Sequence, residues 1–173
     1  MKVKYNGKNH KLIDAVDFVN DLFENDKFWA EIESHSKFDY TKYTPKQVAQ
    51  FMKNKKNIVE VKLYTPPFWK HKNTNAYTDP HYPNTLFYNS KKLWRSVGNV
   101  VNTIVHEYVH TVDFTEDGNV NVDYGHGTQT SSGKENSAPY WIGNLSEKFF
   151  NSERTLAPLI EVVKIDPAGI IEE

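Results

Sequence analysis

The stretch Ser96-Val97-Gly98-Asn99-Val100-Val101-Asn102-Thr103-Ile104-Val105-His106-Glu107-Tyr108-Val109-His110-Thr111-Val112 decides the reading of this chain. Val97, Val101, Ile104, Tyr108 and Val112 recur at helical spacing, and Asp117-Gly118 supplies a stop, so a helix is predicted from Ser96 to about Phe114. At about 100° per residue, with His106 set to zero, His110 falls at about 40° and Glu107 at about 100°. Ile104, Tyr108, Val97 and Val101 fall between about 160° and 220°. The helix can therefore anchor itself through one face while the other carries two imidazoles one turn apart with a carboxylate beside them.

His106-Glu107-Tyr108-Val109-His110 is an H-E-x-x-H sequence. Two histidines at this spacing can grip one metal ion, and the carboxylate between them reaches toward a metal-bound water, the pattern of zinc hydrolysis. A catalytic zinc takes three protein ligands and leaves a position for water. Candidates for the third are His126, Glu135, Asp123, Glu116 and Asp113. His126 is favoured because it lies in Tyr124-Gly125-His126-Gly127, where flanking glycines let the backbone turn sharply toward an ion held elsewhere. Glu135 can instead project from the start of the next helix, and Asp113, one turn after His110, is placed to orient an imidazole.

Outward from this helix the period changes. Val59-Glu60-Val61-Lys62-Leu63-Tyr64 alternates as a half-buried strand does and is stopped by Pro66-Pro67. A loop rich in Asn, Pro, Tyr and His follows from Phe68 to about Asn84, and Thr85–Asn89 reads as a second strand, at an edge. The N-terminal third reads as short helices. Leu12, Ala15, Val16, Val19, Leu22 and Phe23 share a stripe that ends at the Asn25-Asp26 turn signal, and Thr44-Pro45 caps another helix. Phe28, Trp29, Phe38, Tyr40 and Tyr43 are expected to fill the core between them, and Trp69, Trp94 and Trp141 to be packing residues as well. Beyond the loop from Gly118 to Ser137, a helix opens at Ser137-Ala138-Pro139 and buries Trp141, Leu145 and Phe149. In the last apolar stretch, Leu156 to Ile165, any helix is expected to start near Pro158. His71 and His81, both in the long loop, read as solvated surface residues, whereas a hydroxyl from Tyr124 or Tyr140 can reach an oxyanion beside a metal.

Composition narrows the function. A chain of 173 residues with 38% hydrophobic and 25% charged residues has the profile of one soluble domain and buries enough surface to fold without a structural metal, so residues 1–173 are read as a single domain. Zero cysteines exclude disulfides, thiolate zinc sites, iron–sulfur clusters and cysteine nucleophiles. The polar N-terminus and the lack of a long apolar run argue for a cytoplasmic protein without a membrane partner. Net charge is −1, yet residues 1–98 carry 17 Lys and Arg against 10 Asp and Glu, and residues 99–173 carry 4 against 12. Lys53, Lys55 and Lys56 stand among asparagines without Arg or aromatic neighbours, the pattern of a solvated surface and not of a nucleic-acid interface.

The H-E-x-x-H helix preceded by a strand resembles the zincin superfamily of zinc metallopeptidases. Its spacing to the histidine of Gly125-His126-Gly127 is similar to the active-site layout of SprT-like proteases. The resemblance covers residues 85–127. It implies one catalytic zinc held by His106, His110 and His126, Glu107 as general base, and a peptide or protein substrate. It also implies an antiparallel edge strand beside the cleft to which a substrate peptide adds, with Thr85–Asn89 in the matching place. The expected fold is α+β: a small antiparallel or mixed sheet, an edge strand beside the active-site helix, and helical N- and C-terminal segments. Two further functions remain open on the sequence, a zincin-like binding module without catalysis and a SprT-like protease acting on DNA-bound proteins.

Overall fold

The computed structural model describes residues 1–67, 74–113 and 134–163, the last ten of these by their backbone alone. Along the chain run β1 (Val3–Lys4), α1 (His10–Phe23), α2 (Asp26–Ser34), α3 (Pro45–Asn54), β2 (Val59–Tyr64), β3 (Ala76–Thr78), β4 (Thr85–Asn89), a 3-10 turn at Ser90–Lys92, α4 (Val97–Thr111) and α5 (Ala138–Val163). The fold is α+β with a mixed sheet of order β1-β2-β4-β3. β1, β2 and β4 are parallel, with Val61 opposite Leu86 and Leu63 opposite Tyr88, and β3 is antiparallel to β4, with Ala76 opposite Tyr88. This register puts Val59, Val61, Leu86, Tyr88 and Ala76 on one buried face, which packs against α4.

Local chemistry explains the starts of the first four helices. Asn9 caps α1 by accepting from Leu12 N, and Ser96 caps α4 by accepting from Asn99 N. Thr44 and Gln47 form a reciprocal capping box ahead of Pro45. Asn25, read as a stop, is also a start: its side chain accepts from Lys27 N at 2.9 Å and caps α2. Phe28, Trp29 and Phe38 are buried as expected, but Tyr40 is 48% exposed at a positive φ, and Trp94 is 79% exposed and not a packing residue. His81 is exposed and pairs with Asp79.

The sheet corrects one placement. Thr85–Asn89 is not an edge, because it lies between β2 and β3 with Thr85, Leu86, Tyr88 and Asn89 all buried. The edge at this end of the sheet is β3, inside the segment read wholly as loop. Three residues flanked by Asn75 and Asp79 give too short a period-2 signal to be seen before the pairing with β4 exists. At the other end of the chain, α5 runs on through Pro158 and no new helix begins there; one proline removes a single backbone hydrogen bond, which a long helix can absorb. Within α5, Leu145 is buried as expected, while Ile142 and Phe150 carry more of the core than the partly buried Trp141 and Phe149. Among the described residues no helix is long and apolar enough to cross a membrane.

Candidate active site

α4 is the central element of the molecule, packed against α5, α1 and the sheet. Val100, Val101, Ile104, Val105, Tyr108 and Val109 are all buried, so apolar contacts hold the helix on more than one side. Its last carbonyl, Thr111 O, accepts from Lys55 Nζ at 3.1 Å, placing a positive charge where the helix dipole favours one. With α4 fixed in this way, His106 and His110 remain half-exposed on the wall of a cleft of about 600 Å³, with Glu107 beside them.

The two imidazoles lie with ring centroids 5.1 Å apart, as one helical turn dictates. Glu107 lines the same cleft yet is only 8% exposed, and burial raises its carboxyl from an ordinary value of 4.5 to about 8. The opposed-face reading of the helix did not anticipate this depth, because a projection of one helix carries no information on what packs over it. The far wall of the cleft is the edge strand with its approach, Thr74 to Thr78, and Arg95, Asn102, Thr103, Tyr140 and Asn144 complete the lining.

Tyr140 reaches the cleft because the start of α5 is clamped in place. Asp39 N donates to Asn136 O at 3.0 Å, Asn136 Nδ2 donates to Lys37 O at 3.1 Å, and His35 Nε2 lies 2.9 Å from Asn136 Oδ1. The Tyr140 ring then stands perpendicular to His106 with centroids 4.5 Å apart. Burial, followed by the charges of Glu107 and Glu135, raises the phenol's pKa, so it keeps its proton and remains a donor at neutral pH. Close approach of α5 to α4 depends on Gly143: a Cβ there would stand 2.8 Å from Asn102 Oδ1, 3.0 Å from Asn102 O and 3.3 Å from His106 Cβ. Around this contact Asn102 Nδ2 donates to Asn144 Oδ1 and Glu147 Oε2, and Asn99 Nδ2 donates to the other Glu147 oxygen.

Of the residues singled out from sequence, His106, Glu107, His110 and Tyr140 are brought together. Asp113 is buried just past the end of α4, its N–H donating to His110 O at 3.0 Å. Glu135 is exposed at the approach to α5. His126, Asp123, Glu116, Tyr124, His71 and Trp69 lie outside the described residues. Among the described residues no group of three His, Asp or Glu gathers to hold a metal; what the cleft presents is the His106 and His110 pair. The donor chemistry fits a borderline divalent ion: two neutral nitrogen ligands one turn apart, open to a cleft, with a carboxyl adjacent.

No family model, curated protein or solved structure matches this chain.

Sequence reading had no means of finding Arg95, Asn102, Thr103 and Asn144. Arg95 lies outside the helix, in a turn that only tertiary contacts orient, and the two asparagines read as ordinary polar helix positions until α5 is packed across α4.

Proposed function

We propose that this protein is a zinc-dependent metallopeptidase that cleaves peptide bonds in peptide or protein substrates. The observation that carries the reading is one cleft that joins the His106 and His110 imidazoles, the buried Glu107 carboxyl and the edge strand β3. His126 remains the proposed third ligand. When bound, zinc supplies a Lewis acid for the scissile carbonyl and lowers the pKa of a coordinated water to about 7.

The chain's own groups do the rest. As the outermost strand of the described sheet, β3 can pair with the main chain of an extended peptide and hold it across the cleft without requiring a particular sequence. Glu107 takes a proton from the attacking water and returns it to the leaving amine. Burial alone keeps Glu107 protonated to about pH 8, and a zinc ion held by the adjacent histidines would favour its carboxylate, the form a base needs. The Tyr140 hydroxyl, still protonated, can donate to the oxyanion that develops as the carbonyl becomes tetrahedral.

Glu107→Gln tests this reading, because it keeps the side-chain volume and removes the base. The variant is expected to bind zinc like the parent and to lose nearly all turnover of unstructured protein substrates. Undiminished proteolysis by it would falsify the mechanism.

A further inference from the structure

Among the described residues, Arg95 is the one cleft-lining residue with a permanent positive charge. It sits half-buried in the turn before α4, and its placement is built by several contacts. Lys11 Nζ, from α1, donates to Leu93 O at 2.7 Å and to Arg95 O at 2.6 Å, which pins the backbone on both sides of Trp94. The side chain is then aimed along α4: Nη1 donates to Thr103 Oγ1 at 2.8 Å, and Thr103 Oγ1 in turn donates to Asn99 O at 2.9 Å. The buried Tyr88 hydroxyl lies beside both groups.

These neighbours are neutral. Ion pairs among the described residues join Lys4 and Lys62 to Glu60, Lys53 to Glu33 and His81 to Asp79, and none involves Arg95. A guanidinium has five N–H donors in a rigid fork matched to a carboxylate, and the contact to Thr103 uses one of them. The other described cleft-lining groups, apart from Glu107 and the two histidines, are uncharged: Asn75, Thr78, Asn102, Tyr140 and Asn144 among them. A half-buried cation that is oriented by hydroxyls and carries no countercharge is preorganised to receive an anion.

Thr103 precedes His106 and Glu107 on α4 by three and four residues, which is about 4.5–6 Å along the helix axis. An extended peptide rises about 3.3 Å per residue. We infer that Arg95 is a specificity residue that takes a substrate carboxylate within about two residues of the bond to be cleaved. The carboxylate can be an Asp or Glu side chain or the C-terminus of the substrate chain. This rests on the metallopeptidase reading for the position of the cleaved bond, but the recognition itself needs only the cleft.

The test uses alanine-based octapeptides in three forms: one internal Glu with both ends capped, its Gln twin, and an all-Ala peptide with a free C-terminal carboxylate. Binding is measured by calorimetry on the metal-free full chain, and cleavage of the same peptides is measured with zinc present. At least one carboxylate peptide is expected to bind about tenfold more tightly than the uncharged twin, with the advantage falling as salt is raised. Whether the Glu peptide or the free C-terminus shows it identifies the source of the carboxylate. Arg95→Gln should abolish the difference, and Arg95→Lys, which keeps the charge but loses the fork, should retain only part of it. Equal binding of all three peptides by the wild-type chain, or no binding of any, overturns the inference whatever the variants do. Charge-selective binding without cleavage leaves it standing and counts against the peptidase reading; cleavage indifferent to charge does the reverse.

Discussion

Glu107 makes the metal-free fold sensitive to pH in a direction that can be worked out. In the unfolded chain its carboxyl titrates near the ordinary 4.5, and in the folded chain burial raises it to about 8. Between these values the folded state holds a proton that the unfolded state has released, so raising the pH favours unfolding. The contribution of Glu107 to stability is complete below about pH 4.5, declines as pH rises and levels off above about 8. The gap between the two values, at ~1.4 kcal/mol per pH unit, gives a total loss of up to about 5 kcal/mol, most of it between pH 5 and pH 8. At roughly 2–4 °C per kcal/mol for a domain of this size, that loss amounts to about 10–20 °C in melting temperature. The perturbation is Glu107→Gln, which carries no titrating group and leaves every other residue in place. Thermal unfolding of both proteins is followed by circular dichroism in a chelator from pH 4.5 to pH 8.5. The two are expected to melt together at the acid end, with the Gln variant increasingly more stable toward pH 8.5, because only the parent has a buried carboxyl to ionise. Melting temperatures that run parallel across the whole range would refute the claim that a buried, uncompensated carboxyl sits in this cleft.

Other outcomes follow from the same geometry. Gly143→Ala places a methyl group 3.0 Å from the Asn102 carbonyl, which cannot turn away as a side chain can, so the protein should lose about 1–3 kcal/mol and melt several degrees lower; an unchanged melting curve would mean that α5 is free to move off α4. Tyr140→Phe is expected to lower kcat roughly 10- to 100-fold with zinc affinity unchanged, since only a hydrogen-bond donor is removed; an effect on KM alone would assign the ring to substrate packing. His126→Ala should cost far more zinc affinity than Glu135→Ala in a competition titration, because loss of a direct ligand leaves only the helix pair, while loss of a supporting carboxylate typically costs about 10–100-fold. The reverse order would move the third ligand to the approach to α5.

What the sequence could determine by itself is whatever repeats within one element. The 3.6-residue period located α4, and the offset between His106, Glu107 and His110 placed three functional groups on one side of it, because side-chain direction along a helix follows from backbone geometry alone. Thr44 with Pro45, Ser96, and the alternation from Val59 to Tyr64 could be read for the same reason: capping and pleating act over a few neighbouring residues. Tertiary structure decided everything that requires two distant segments to meet. The three residues of β3 are a strand only because β4 supplies their partners, and that pairing moves the sheet edge from Thr85–Asn89 to Ala76–Thr78 and gives the cleft its far wall. The depth of Glu107 depends on what packs over α4, which no single-helix projection contains. Arg95 faces the cleft because Lys11, more than eighty residues earlier in the chain, holds its carbonyl and Thr103 holds its side chain. The sequence carries the chemistry of these residues, but burial and proximity are properties of pairs of elements, and they exist only once the chain has folded.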